Sequence, residues 1–170
     1  QPLRVMILIE DALRADHLSV YGYDKKTSPF KEELLQTQGA VFLRARSQDN
    51  VTRTSLPSMM TSLLPSATGV WGFADMLRPE YLTLAEVMRQ QGFATGSFVQ
   101  NSNAGAASGL QQGFETTIDE ESVRGPPEAL LEGEPLWNWL RVHKDRNTFT
   151  YLHIVDPHGP YEPPAPYDED

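Results

Sequence analysis

Five consecutive apolar residues, Val5 to Ile9, run directly into Glu10-Asp11. A short unbroken apolar run of this length suits a strand packed on both faces, as in a parallel sheet, because a strand with one wet face would alternate. A second run, Thr148 to Val155 (TFTYLHIV), also ends in a carboxylate, Asp156. A third, Ala94 to Val99, lies between them in the chain. Helical signals separate the runs. Lys31 to Gln38 follows Pro29-Phe30 and is expected to close at Gly39 as C-cap. Leu82 to Gln91 is amphipathic, with Thr83 as N-cap, and stops at Gly92. Glu134 to Lys144 carries Leu136, Trp137 and Leu140 at helical spacing. Strands alternating with helices predict an α/β fold with a mostly parallel sheet flanked by helices. Between these elements, Ala40 to Phe42 is expected to begin a short strand, and Thr52 to Leu64 to be a loop entering a helix. Asn101 to Gly113 reads as a Gly-, Ala- and Ser-rich loop, and Pro126 and Pro127 punctuate a polar stretch.

Composition narrows the function classes. With 14 Lys and Arg against 23 Asp and Glu in 170 residues, the formal charge is −9. Phosphate backbones repel such a chain, and it has no basic cluster, so no nucleic-acid partner is expected. The absence of cysteine excludes disulfides, thiolate metal sites and a cysteine nucleophile. No apolar run reaches the length of a spanning helix. The chain opens at Gln1-Pro2 without an initiator Met and stops in Asp168-Glu169-Asp170, which reads as a fragment of a longer protein.

Ligands of parallel sheets bind beyond the carboxyl ends of the strands, where Asp11 and Asp156-Pro157-His158 both fall. Asp11 reads either as a cap for the next helix or as a ligand for a hard cation. Thr52 sits in a run of hydroxyl residues where a helix begins. It reads either as an ordinary N-cap or as a nucleophile whose hydroxyl a metal or base activates. His158, in a loop after a strand, is able to bind an anion or protonate a leaving group. His153 alternates into a strand and reads as structural, His143 as a polar helix residue and His17 as local packing.

The stretch Ile9 to Tyr23 with Thr27-Ser28-Pro29 resembles the opening of sulfatase-like enzymes of the alkaline phosphatase superfamily. Three further segments follow in that family's order: Thr61-Ser62-Leu63-Leu64-Pro65, Gly113-Phe114 and Asp156-Pro157-His158-Gly159-Pro160-Tyr161. The resemblance covers nearly the whole chain. It implies an alkaline-phosphatase-like three-layer sandwich, of which residues 1–170 are the N-terminal portion of one catalytic domain, incomplete at the C-terminus. It also implies that Asp11 is a metal ligand, with Ala12 where many sulfatases place a second Asp. Thr52 matches the nucleophile position. Sulfatases carry Cys or Ser there, in a Cys/Ser-x-Pro-x-Arg motif, whereas this chain reads Thr52-Arg53-Thr54-Ser55-Leu56. Ser55 is a competing nucleophile three residues later. The spacing of Thr52, Ser55 and Pro57 is similar to that of phosphoethanolamine transferases of the same superfamily, which use a metal-bound threonine. Where sulfatases contact sulfate through Lys and His, this chain has Gln100 and Ser102, with Asn101 between them. That loss of the family's sulfate contacts weakens a sulfatase assignment.

What the resemblance implies is a metal-dependent ester hydrolase working through a covalent threonine intermediate. Asp11 and Thr52 would hold the metal, His158 would assist the leaving group, and Arg53, Asn101 and Gln100 would contact substrate. Carboxylate and hydroxyl donors suit Ca, Mg, Mn or Zn. The alternatives are a phosphoethanolamine or phosphoglycerol transferase, with a membrane tether outside these residues and a lipid-headgroup substrate, or a non-catalytic domain of the same fold. Family habit places such proteins outside the cytoplasm. The remaining metal ligands of the family come from the second half of the domain, so the 170 residues by themselves are expected to be inactive.

Overall fold

The computed structural model describes residues 1–119, 135–161 and 163. Pro126, Pro127, Glu134 and the acidic end lie outside the described residues. Among the described residues four strands pair in parallel: β1 (Arg4–Glu10), β2 (Ala94–Val99), β3 (Thr116–Asp119) and β4 (Thr148–Ile154), in the order β1-β4-β2-β3. The α-helices among the described residues are α1 (Pro29–Gln38), α2 (Thr52–Thr61), α3 (Pro65–Thr68), α4 (Leu84–Gln90) and α5 (Pro135–Val142). The chain divides into two units, residues 1–11 with 48–156, and residues 12–47 with 157–170.

In the first unit β4 and β2 are the inner strands, and six of the seven residues of β4 are buried. The alternation of β4 assigns two cores. Phe149 and Tyr151 meet Val99 of β2, Leu56 and Met60 of α2 and Ala85 of α4 on one face. Leu152, with Ala94 and Phe98 of β2, meets Leu136 and Trp139 of α5 on the other. Helices on both faces of a parallel sheet confirm the α/β expectation. Register aligns the strand ends, with Glu10 opposite Ile154 and Val99 opposite both His153 and Asp119.

Several local expectations need correction. β1 is not packed on both faces: it is an edge strand whose exposure alternates, with Met6 48% and Leu8 47% exposed while Val5, Ile7 and Ile9 pack on the α2 side. A run of apolar residues reports what a strand tolerates, and its neighbours decide what is covered. Ala40 to Phe42 forms no strand, and the Phe42 ring is exposed. β3, only four residues long, has no apolar run to announce it. Thr52 opens α2 directly, without an intervening loop. The 101–113 segment contains two 3-10 turns, Ser102–Ala104 and Ala106–Ser108. The Thr83 cap is present as a reciprocal capping box: its hydroxyl accepts from the Glu86 amide at 3.2 Å, and its own amide donates to the Glu86 carboxylate at 2.9 Å. Gly113 has φ +92°, and a Cβ there would lie 2.8 Å from the Ala85 carbonyl carbon, so only glycine suits this position.

In the second unit α1 begins at Pro29, and Gly39 ends it in extended rather than left-handed backbone. The Thr27 hydroxyl donates to the His17 carbonyl at 2.6 Å, and the His17 ring stacks on Tyr23 at 5.1 Å, which is the local packing expected of that histidine.

Candidate functional site

The carboxyl ends of β1, β2 and β4 carry the first unit's concentration of polar side chains. Asp11 follows β1, and its amide continues the ladder by donating to the Ile154 carbonyl at 2.9 Å. The backbone turns away at Ala12, which has φ 59°, a left-handed conformation that costs a residue with a Cβ about 1–2 kcal/mol. Asp11 therefore sits at the end of a fixed strand and caps no helix. The next helical turn, Ala15–His17, has Arg14 as its N-cap residue and no side-chain cap.

Thr52 comes to Asp11 from the start of α2. The N-cap residue of α2 is Val51, which has no capping side chain, and Thr52 is the first helical residue. Its hydroxyl is not spent on capping and lies 3.3 and 3.4 Å from the two Asp11 carboxylate oxygens. The Thr54 and Ser55 amides donate to the Val51 carbonyl. The start of a helix carries amides without intrahelical partners and a positive dipole end, a setting that favours an anion. The competing hydroxyl, that of Ser55, turns back toward the Thr52 carbonyl at 3.5 Å.

Two more groups approach the same carboxylate. Asn101 stands at the N-cap of the turn after β2. Its side-chain oxygen accepts from the Asn103 amide at 3.0 Å, and its Nδ2 lies 3.4 Å from Asp11 Oδ2. His153, the sixth residue of β4, is fully buried and places Nε2 3.7 Å from the same oxygen. Burial holds the imidazole below the usual histidine range, against the opposing attraction of Asp11. Tyr151, two residues earlier on the same face, donates to the Ala104 carbonyl at 3.2 Å. Its phenol is pushed upward by burial and then by the charges of Asp11 and Asp119.

The distances to Asp11 all exceed the 2.5–2.9 Å of well-formed bonds to a carboxylate. The spacing between the Asp11 and Thr52 oxygens also suits two ligands of one cation. Two oxygens each bound at about 2.1 Å, at octahedral or tetrahedral angles, lie roughly 3.0–3.4 Å apart. The Asp11 and Thr52 oxygens have that spacing. The donor set fits a hard or borderline cation in part. Among the described residues no cluster of three or more His, Cys, Asp and Glu side chains is able to hold one.

Arg53 and Gln100 do not behave as solvated surface groups. Arg53 is buried. Its Nη2 donates to the Phe73 carbonyl, while Nε and Nη1 have no protein partner. Gln100 is also buried, and its Oε1 accepts from the Val155 amide at 3.0 Å, which ties the segment after β2 to the segment after β4. His158 belongs to the second unit, is exposed, and has Nδ1 2.9 Å from the Gly159 carbonyl. The structure thus brings together Asp11, Thr52 and Asn101 and adds His153, which the sequence reading had placed among structural residues. Its one signal was a polar ring on the inward face of a buried strand, close to that strand's carboxyl end.

The sequence model of the Sulfatase family matches residues 3–170. The chain is 28% identical over 100 residues to an arylsulfatase of Hemicentrotus pulcherrimus, covering 54% of this chain and 18% of that protein. The fold superimposes on a phosphonate monoester hydrolase of Silicibacter pomeroyi with a TM-score of 0.76 at 20% identity, over 98% of this chain and 44% of that one. It also superimposes on the soluble domain of lipooligosaccharide phosphoethanolamine transferase A of Neisseria meningitidis, with a TM-score of 0.69 at 19% identity, over 94% and 46%. The chain spans 18% of its curated relative and less than half of each of these structures.

Proposed function

We propose, from the premise that this chain belongs to the sulfatase family, that it is the N-terminal portion of a metal-dependent ester hydrolase that attacks phosphate esters through Thr52. The observation that carries this reading is the Thr52 hydroxyl, left free by an uncapped helix start and set 3.3 and 3.4 Å from the Asp11 carboxylate oxygens.

Asp11 and Thr52 would hold a divalent cation, Ca, Mg, Mn or Zn. When bound, it would favour ionisation of the hydroxyl and stabilise charge on the oxygens of the transferring group. Thr52 Oγ1 forms the new bond to phosphorus as the bond to the ester oxygen breaks. The start of α2 offers its free amides to the phosphoryl oxygens. Arg53, one residue further on, adds a buried positive charge, and Asn101 orients Asp11. The resemblance assigns assistance of the leaving group to His158, which belongs to the second unit. Water then attacks the phosphothreonine and restores the hydroxyl. Phosphate is preferred to sulfate because Thr52 stands where sulfatases carry the Cys or Ser of their motif, and Gln100, in place of the family's sulfate-contacting Lys, spends its carbonyl on Val155.

A second reading is transfer of a phosphoethanolamine or phosphoglycerol group to an acceptor alcohol in place of water. The Thr52, Ser55 and Pro57 spacing and the likeness to a phosphoethanolamine transferase favour it. It would place the protein outside the cytoplasm beside a membrane. No helix among the described residues is long and apolar enough to cross a membrane.

The test is an assay of the full-length protein against matched aryl phosphate and aryl sulfate esters with each of the four cations, with Asp11→Asn and Ser55→Ala as controls. Phosphate turnover lost in Asp11→Asn and kept in Ser55→Ala supports the hydrolase. Sulfate turnover exceeding phosphate overturns the substrate assignment. No turnover of either, with group transfer from phosphatidylethanolamine, moves the assignment to the transferase.

A further inference from the structure

We infer that His153 is a positioning residue: its imidazole holds the Asp11 carboxylate in the orientation that faces Thr52, and so sets how tightly the site binds a divalent cation. This rests on the reading of Asp11 as a metal ligand.

The inference starts from a buried group without an evident structural use. Phe149, Tyr151 and His153 share one face of β4, and the first two fill the core beneath α2. His153 is 0% exposed, and neither ring nitrogen has a hydrogen-bond partner. Burying a polar ring without partners is unfavourable, and an apolar side chain of similar volume would avoid that cost. An imidazole here therefore needs another explanation, and the nearest polar atom supplies it. Nε2 lies 3.7 Å from Asp11 Oδ2, a few tenths of an ångström beyond hydrogen-bond reach.

The carboxylate has more claims on it than it satisfies. Thr52 Oγ1 and Asn101 Nδ2 each lie 3.4 Å from the same Oδ2. A hydroxyl that turns to a cation, or to a phosphorus atom, ceases to steady Asp11. Asn101 Nδ2, at 3.4 Å, and His153 Nε2, at 3.7 Å, are then the nitrogens left beside that oxygen, one anchored by its N-cap role and the other by an inner strand of the sheet. A ligating carboxylate held by fixed donors keeps its geometry through turnover, and loss of such a donor typically weakens metal binding about 10- to 100-fold. The strand gives His153 the rigidity that the task requires. The register pairs Ile9 with His153, two residues before Asp11.

The experiment compares the metal-free full-length protein with Asp11→Asn, His153→Leu and His153→Gln. Calorimetric titration with Zn²⁺ and with Mn²⁺ gives affinity, and melting in EDTA gives stability without metal. His153→Leu, which removes the donor at similar volume, is expected to weaken metal binding about 10- to 100-fold. Its melting temperature in EDTA is expected to be unchanged or higher. His153→Gln places an amide N–H within similar reach and is expected to bind metal within about threefold of the wild type. Wild-type affinity in His153→Leu, with binding lost in Asp11→Asn, overturns the inference and leaves Asp11 as a ligand. Wild-type affinity in Asp11→Asn overturns both. A large loss of melting temperature in EDTA for both His153 variants makes the ring a structural element and also overturns the inference. Failure of His153→Gln to restore affinity rules out a role through the N–H donor.

Discussion

Replacing Thr52 with valine separates chemistry from folding, because valine keeps the branched shape and removes only the hydroxyl. The hydroxyl reaches Asp11 at 3.3 and 3.4 Å, well beyond the 2.5–2.7 Å of a strong bond to a carboxylate. A well-made bond to a charged acceptor contributes about 1.5–3 kcal/mol, so this stretched one contributes below about 1 kcal/mol. Thr52 is half-buried, does not cap α2, and leaves Asp11 still in contact with Asn101. For a domain of this size the melting temperature in EDTA should fall by no more than about 4 °C. The effect on turnover should be of another order. Without the attacking oxygen, turnover of an aryl phosphate ester should drop at least about 1,000-fold, equivalent to about 4 kcal/mol of transition-state stabilisation. The assay pairs initial rates at saturating metal with melting curves in EDTA, on the full-length protein. Two results would refute the reasoning. Turnover within about tenfold of wild type removes Thr52 as nucleophile. A fall of more than about 10 °C makes its hydroxyl a structural group and leaves the loss of activity without meaning for chemistry.

Three further outcomes follow from the geometry. Gly113→Ala drives a Cβ against the Ala85 carbonyl carbon at a φ of +92° and should cost at least about 2 kcal/mol, read by urea denaturation. Thr83→Ala removes one half of the capping box and the bond to the Gln112 carbonyl at 3.0 Å. The expected loss is about 1–2 kcal/mol, and Thr83→Ser should recover most of it. Tyr151→Phe should be about 1 kcal/mol less stable near neutrality, because the Ala104 carbonyl loses its donor. That deficit should shrink as pH rises above 10. The folded phenol is held protonated by burial and by Asp11 and Asp119, while the unfolded phenol ionises and binds fewer protons. Wild-type stability therefore falls with rising pH through this group, by about 1.4 kcal/mol per unit, and the variant lacks that slope. Parallel urea titrations at pH 7, 10 and 11 check it, and a deficit that does not shrink refutes the assignment.

Much of the site was legible in the chain because its motifs are local. Asp11 lies two residues beyond the end of an apolar run, and Thr52 lies where a run of hydroxyls meets the start of a helix. The Thr83 capping box likewise needs only residues three apart. Asn101 was legible only as a position, flanked by two departures from the family pattern. Arg53 was legible only as a cation beside Thr52, and its burial with Nη2 on the Phe73 carbonyl came from the tertiary structure.

By itself the sequence established an α/β chain and placed its candidate site residues beyond the carboxyl ends of the strands. Strand length, turn residues and hydroxyl placement act over a few residues and are written there. Only the tertiary structure decided which strands are inner, and hence what β1 covers, because a period of two assigns faces and says nothing of neighbours. It alone found β3, whose four residues are too few for a pattern. It alone joined Asp11 to Thr52 across 41 residues and to Asn101 across 90. The role of His153 belongs there too. A polar ring in a buried strand has no meaning until the pairing of β4 with β1 places a carboxylate beside it, and that pairing is made by packing between segments far apart in the chain.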